Sequence, residues 1–367
     1  MRVKFVNLGL QYKNLKEEIL TKIDFLSSNG SYVLTEELEK FEENFSKYCG
    51  VKYAIGVGNG SDAIFFSLLS QGIGKGDEII TAPNSFIATA WTISNTGAKI
   101  VFCDVGDDYN LDAKKIEKSI TKKTKAIIPV HLTGRIANMD EINKIAKNNN
   151  LFVIEDAAQA VGAEYNNKKA GSFGLTGCFS LHPLKNLHVN GDGGVVTTND
   201  ESVYSFLKKI RNHGLVNRDE CEFWGYNSRL DSIKAGIANI KLNYLDEWNN
   251  RFRTIASYYR NELKNIMFVP EEKSFESPIY HRFIVQCENR DILKQYLEEI
   301  GVETKINYPI PLHLQKAASS LQYKLGDFPR AEEQAKRILS LPIYAEMQDN
   351  EVEYVVECIK KFYHEYN

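Results

Sequence analysis

The 367-residue chain reads as an α/β protein: a large domain built on a mostly parallel sheet between helices, then a smaller C-terminal α/β domain. Three observations predict this. Short apolar runs such as Ala126-Ile-Ile-Pro-Val130 recur with helix-length stretches between them. Such runs suit strands buried on both faces, as parallel sheets require. The length exceeds one average domain and allows a large core. The composition also shifts after Met267, where 269–278 is a polar loop holding Pro270 and Pro278. The division expected is therefore 1–250 for the large domain, with a helical N-terminal segment, and 251–367 for the small one.

Each element has its own justification. Residues 11–27 place Leu15, Ile19, Leu20, Ile23 and Leu26 at helical spacing, and Ser28-Asn-Gly30 ends that helix. A second helix over 35–48 puts Leu38, Phe41 and Phe45 on one face. After Cys49-Gly50, strands are expected at 53–57, 78–81, 99–103, 126–130 and 151–154. Helices at 63–70, 88–95, 112–119 and 139–147 alternate with them, and 194–198 adds another strand. Helices at 201–211 and 231–265 lead away from the sheet. Strand 280–286, helix 290–300, strand 302–305 and helix 350–363 make the smaller unit. There is no internal repeat and no low-complexity segment.

Composition excludes several classes. The net charge of −3 is small and Lys and Arg are scattered, so nothing marks a nucleic-acid partner. Lys114-Lys115 and Lys122-Lys123-Lys125 read as a solvated helix face and its turn. No apolar stretch is long enough to span a bilayer, and the first residues lack a secretory signal. Cys49, Cys103, Cys178, Cys221, Cys287 and Cys358 are far apart, as in a reduced cytoplasmic protein. No metal is expected. His182 and His188 flank a proline at a spacing that fits neither one helix face nor a zinc loop.

The chemistry concentrates in two segments, Ile154-Glu-Asp-Ala-Ala-Gln159 and Cys178-Phe-Ser-Leu-His-Pro-Leu-Lys185, the latter running on to Gly194. An acid closing a buried strand, followed by a lysine between a strand and a glycine turn, is what pyridoxal 5′-phosphate needs. Its aldehyde forms a Schiff base with an amine, and its ring nitrogen must stay protonated. Lys185 supplies the amine and Asp156 the countercharge, although an Asp there also reads as a helix N-cap. Gln159 can reach the ring's phenolic oxygen. Ser180 can cap the phosphate, and Phe86 can lie on the ring or sit in the core. Gly56-Val-Gly-Asn-Gly-Ser-Asp-Ala63 offers backbone N–H groups and a helix N-terminus to an anion. The same turn also fits a dinucleotide fingerprint, Gly58-x-Gly60-x-x-Ala63. That fingerprint wants an acid after the next strand, whereas Asp77 and Glu78 stand before Ile79.

Taken together these motifs resemble the DegT/DnrJ/EryC1/StrS sugar aminotransferases. Tyr32-Val-Leu, Leu38-Glu-Lys-Phe-Glu42 and Asn84-Ser-Phe-Ile-Ala-Thr89 carry the resemblance as well. So do Arg211-Asn-His-Gly214, Gly225-Tyr-Asn-Ser-Arg-Leu-Asp231, Tyr308-Pro-Ile-Pro-Leu-His313 and Leu339-Ser-Leu-Pro-Ile343. The resemblance implies a fold-type I pyridoxal-phosphate transferase with a seven-stranded sheet. It implies that Lys185 forms the Schiff base, Asp156 partners the ring nitrogen, Gln159 meets the ring hydroxyl and Phe86 stacks. Gly60, Ser61, Asp62 and Ser180 fall at the phosphate. Asn227 matches a residue reaching the phosphate from a neighbouring subunit, which implies a homodimer with shared active sites. His182, His188, Arg229, Tyr308 and His313 fall on the substrate side. Thr35 stands where many relatives have glycine, and Asp192 where they have glutamate. A branch that replaces the lysine by histidine performs dehydration, so Lys185 favours amino transfer.

The implied reaction moves an amino group from L-glutamate, through pyridoxamine phosphate, to a nucleotide-linked keto sugar for cell-surface polysaccharide. A small phosphorylated ketone such as dihydroxyacetone phosphate, or a free keto-sugar acid, is the alternative acceptor. Two other classes stand beside this reading: a nicotinamide-dependent oxidoreductase and a regulatory member of the fold without turnover.

Overall fold

The structure, a computed structural model, describes residues 1–366. Two helices come first, α1 (Leu8–Ser28) and α2 (Glu36–Cys49). Glu36, Glu37 and Glu39 in the first turn of α2 and Lys47 in its last complement the helix dipole. Gly50 ends it at φ +70°, the left-handed conformation that glycine adopts without a side-chain clash. Leu38, Phe41 and Phe45 are buried as their spacing requires, each worth about 1.5–3 kcal/mol of burial. On α1 the stripe is narrower than expected: Leu15, Ile19 and Leu26 are buried, but Leu20 is 43% exposed.

The main sheet follows. Its strands are β1 (Tyr53–Val57), β2 (Glu78–Thr81), β3 (Lys99–Phe102), β4 (Thr124–Ile128) and β5 (Phe152–Asp156). The small hairpin β6 (Glu164–Tyr165) and β7 (Lys168–Lys169) precedes β8 (Thr176–Ser180) and β9 (Gly194–Thr198). Helices α3 (Gly60–Leu69), α4 (Ile87–Asn95), α5 (Ala113–Ile116) and α6 (Met139–Asn148) intervene, and α7 (Glu201–Ile210) follows β9. The seven strands lie in the order β1-β9-β8-β5-β4-β2-β3. The run from β8 to β3 is parallel, and β9 is antiparallel to both its neighbours. The carboxyl ends of β5 and β8 are therefore adjacent, which is where open α/β sheets bind ligands.

The expected helix at 231–265 is two helices, α8 (Ser232–Leu242) and α9 (Leu245–Leu263), broken at Asn243-Tyr244. Leu245 of α9 belongs to the sheet's core, whereas Phe252, Ile255, Tyr259 and Leu263 belong to a second core. β10 (Glu276–Ser277) pairs with β6, and around the second core lie β11 (Phe283–Gln286), α10 (Arg290–Glu299), α11 (Pro329–Arg337), β12 (Ile338–Leu341) and α12 (Asp349–Tyr366). The strand expected at 302–305 reduces to single bridges, Val302 with Val3 and Lys305 with Ser340. The edge of β11 is taken instead by β12, antiparallel from Phe283↔Leu341 to Gln286↔Ile338. Among the described residues no helix is long and apolar enough to cross a membrane.

Candidate active site

Alternation along β5 sorts its two acids. Glu155 faces the interior, where it accepts the N–H groups of Gly171, Phe173 and Gly174 and pairs with His131 Nε2 at 2.9 Å. Asp156 faces the other way, into a cavity of about 470 Å³. Its Oδ2 accepts the Thr89 hydroxyl at 2.7 Å, and Thr89 is itself 2.8 Å from the Ser85 hydroxyl. Its Oδ1 accepts the Ala158 N–H at 3.2 Å. The carboxylate is fixed in direction yet still open to the cavity.

Lys185 reaches the same cavity from the loop after β8. Its N–H donates to the His182 carbonyl at 2.8 Å, closing a turn around Pro183. The next residue anchors that loop, because Asn186 Nδ2 donates to Val161 O at 2.8 Å and Asn249 Oδ1 at 3.0 Å. Surrounding protein lowers the Lys185 pKa to about 8; nearby Asp156 opposes the shift and Arg282 adds to it. The side chain is nonetheless only half-buried, so the amine stays accessible.

The opposite walls come from three places. The first turn of α3, at Gly60 and Ser61, lines the cavity beside Ser180 and presents N–H groups that have no intrahelical acceptor. Asn59 caps this turn by accepting the Asp62 N–H at 2.9 Å. Phe86, 53% exposed, lies at the start of α4, with its ring 5.8 Å from that of Tyr308. Gln159 Oε1 accepts the Thr133 N–H at 2.9 Å, and its side chain lies against the Tyr308 phenol. Burial pushes the Tyr308 hydroxyl up to about 12, with Arg282 opposing and Asp156 reinforcing the shift. Asp192, His281, Arg282 and Asn307 also line the cavity.

Of the residues singled out in the sequence, the cavity brings together Gly60, Ser61, Phe86, Asp156, Gln159, Ser180, His182, Lys185, Asp192 and Tyr308. The others lie off it. The Asp62 carboxylate accepts the Ser228 hydroxyl at 2.6 Å and the Asn59 amide at 2.9 Å, so it braces the turn. His188 is buried behind the lysine loop, with both ring nitrogens 3.1–3.2 Å from Lys241 Nζ. Burial first, then Lys241, lowers its pKa to about 3. His313 is sealed under Phe102 and Phe328 and paired with Glu332 at 2.9 Å. Asn227 and Arg229 sit on the segment after α7, where Arg229 Nη1 donates to Asn212 Oδ1 at 2.9 Å. Sequence reasoning missed Thr89, His281 and Arg282. The signal for Arg282 is a cation directly before the apolar run Phe283-Ile284-Val285.

A model of the DegT/DnrJ/EryC1/StrS aminotransferase family matches residues 13–360. The chain belongs to that family. It is 42% identical over 362 residues to the dTDP-3-amino-3,6-dideoxy-alpha-D-galactopyranose transaminase of Aneurinibacillus thermoaerophilus, covering 98% of this chain and 99% of that one. It is 41% identical to a protein of Geobacillus stearothermophilus named pleiotropic regulatory protein, over 99% of both. Among solved structures, DesV of S. venezuelae in complex with a ketimine intermediate superposes with a TM-score of 0.96 at 37% identity, covering 98% of each chain.

This family member is a pyridoxal-phosphate-dependent aminotransferase. The cavity's residues fit the cofactor: an accessible amine of lowered pKa, a directed carboxylate, an exposed aromatic ring and a capped helix N-terminus converge on one space. The nicotinamide reading finds no support in the turn, because β2 ends at Thr81 and is followed by Ala82-Pro83 with no acid for a ribose.

Proposed function

We propose that this aminotransferase carries an amino group from L-glutamate to a nucleotide-linked keto sugar, as a cytoplasmic homodimer that supplies cell-surface polysaccharide synthesis. The observation that carries the reading is the convergence of Lys185 and Asp156 on one cavity in a chain so similar to a dTDP-sugar transaminase. Six free cysteines, five of them buried, accord with a reducing compartment.

Pyridoxal phosphate, when bound, supplies a carbonyl carbon on which amines exchange and a ring that takes up the electron pair left when a neighbouring carbon loses its proton. The chain's residues do the rest. Gly60, Ser61 and Ser180 hold the phosphate through backbone and hydroxyl donors. Asp156, held by Thr89, keeps a proton on the ring nitrogen. Phe86 would stack on the ring, and Gln159 would hold the ring hydroxyl. Lys185 Nζ, neutral in part near pH 8, takes the proton from the donor's Cα and returns one on the other side of the nitrogen. The keto sugar is then aminated by the same proton path in reverse. Asn227 is exposed and off its own cavity, which suits a residue serving the neighbouring copy's phosphate.

Purified protein loaded with pyridoxal phosphate is expected to be yellow and to bleach with L-glutamate. A dTDP-linked keto sugar is expected to restore the colour. Dihydroxyacetone phosphate and a free keto-sugar acid should leave it bleached; recovery with either one alone would overturn the nucleotide-sugar assignment. Lys185→Ala should abolish turnover, by at least about 10³-fold, with an unchanged circular dichroism spectrum.

A further inference from the structure

Arg282 stands at the start of β11, and its side chain lines the cavity that Lys185 and Asp156 share. A guanidinium carries five N–H donors and a permanent charge. This one makes a single hydrogen bond, from Nη1 to the carbonyl of its neighbour His281 at 3.1 Å. Its face rests on the Phe5 ring, 5.0 Å from the centroid. No carboxylate lies within 4.0 Å of it among the described residues. The other buried arginines differ: Arg135 is paired with Glu276 and Arg211 with Glu42. Nor is the fork sealed in, for Nε and Nη2 are not among the buried polar atoms left without a partner. The residue is part-exposed and lines the cavity.

An unpaired guanidinium in a desolvated cavity is costly unless an anion arrives to meet it. Burial lowers its pKa to about 10, with the Tyr308 phenol opposing, so it is charged throughout the physiological range. The anions already accounted for lie elsewhere. The α3 N-terminus takes the cofactor phosphate, and Asp156 is committed to Thr89, Ala158 and the ring nitrogen. Arg282 belongs to the second core's side of the cavity, yet it is close enough to Lys185 to repel its charge. A donor whose Cα proton goes to Lys185 carries a carboxylate one bond from that carbon. The planar fork matches such a carboxylate two-pronged.

We infer that Arg282 receives the α-carboxylate of the amino donor, and so selects α-amino acids for the first half-reaction. The inference rests on the aminotransferase reading. The pyridoxal-phosphate-loaded enzyme is titrated with L-glutamate and with L-glutamic acid 1-amide, which lacks only the α-carboxylate charge, and loss of the visible band is followed. Wild type should need about 30-fold more of the amide, the discrimination a charge-assisted pair provides. In Arg282→Leu the two compounds should become equivalent within about threefold, and Arg282→Lys should keep part of the preference. Calorimetric binding of 2-methyl-L-glutamate, which has no Cα proton to lose, should weaken in parallel.

Undiminished preference for glutamate in Arg282→Leu would overturn the inference while leaving the aminotransferase reading intact. If Arg282→Leu loses the cofactor band, Arg282→Gln takes its place with the same expectation. A defect confined to colour recovery by an acceptor bearing a carboxylate would also overturn it, moving Arg282 to the acceptor. A wild-type band that no amino acid bleaches would overturn both readings together.

Discussion

Lys185 has to satisfy two demands that conflict on a solvated surface: it must carry a lone pair near neutral pH, and it must remain reachable. Burial meets the first by penalising the ammonium form, and the open cavity meets the second. The sign of the effect is testable on the apoenzyme. With a pKa of about 8 rather than 10.5, the neutral fraction rises about tenfold per pH unit below 8 and then levels off. The rate of pyridoxal phosphate capture, followed as growth of the visible band, should trace that curve and flatten above about pH 8. Asp156→Asn removes the one opposing charge, so its plateau should begin at lower pH. A capture rate still climbing steadily toward pH 10.5 would show that Lys185 behaves as an ordinary surface lysine.

At the scale of the elements, the decisive contact is the tip of α3 against the ends of β8 and β9. A Cβ on Gly60 would lie 2.7 Å from Ser180 Cβ, and one on Gly194 would lie 2.3 Å from the Asn59 carbonyl oxygen. The turn proposed for the phosphate is therefore held in place by absent side chains. Gly60→Ala should cost about 1–3 kcal/mol in urea unfolding through overpacking. It should also weaken retention of pyridoxal phosphate on dialysis by about tenfold or more, because the turn must move off Ser180. Unaltered retention would remove the turn from the phosphate site. The strands around this contact are legible in sequence because β2, β4 and β9 are buried along nearly their whole length and read as apolar runs. Two elements of the second unit are not. Helix α11 begins at Pro329 and its residues Ala-Glu-Glu-Gln-Ala-Lys-Arg favour a helix, but they carry no apolar stripe, which is the signal that marks the other helices. The segment 302–305 reads as a strand, but only Val302 and Lys305 bridge, each to a single partner, Val3 and Ser340. Within the site, the strand-end acid and the loop lysine follow from pattern. The depth of a histidine does not, which is why His188 and His313 read as substrate residues although the structure pairs them with Lys241 and Glu332 inside the protein.

At the scale of the whole molecule, the cavity draws on the first sheet, the 280–308 segment of the second unit and, under the dimer proposal, the Asn227 segment of another copy. The segment carrying Asn227 is conspicuously apolar for an exposed one: Trp224 is 93% and Tyr226 44% exposed. Covering such residues is what an interface between copies would do. If each site joins Lys185 of one chain to Asn227 of the other, two defects on different chains can be separated by mixing. Lys185→Ala homodimers lack the amine in both sites, and Asn227→Ala homodimers lack the phosphate contact in both. In a mixed dimer, one site collects both lesions and the other collects none. Unfolding and refolding the two variants together, with equal partition, makes about half of the dimers mixed, each with one intact site of two. Amino-transfer activity at limiting pyridoxal phosphate should then recover to about a quarter of wild type, above the mean of the two parents. Sedimentation should show a dimer at the same concentration. Activity that stays at the parental mean, with mixed dimers demonstrated by differential tagging, would show that Asn227 does not serve the partner's Lys185 and would remove the shared active site from the proposal.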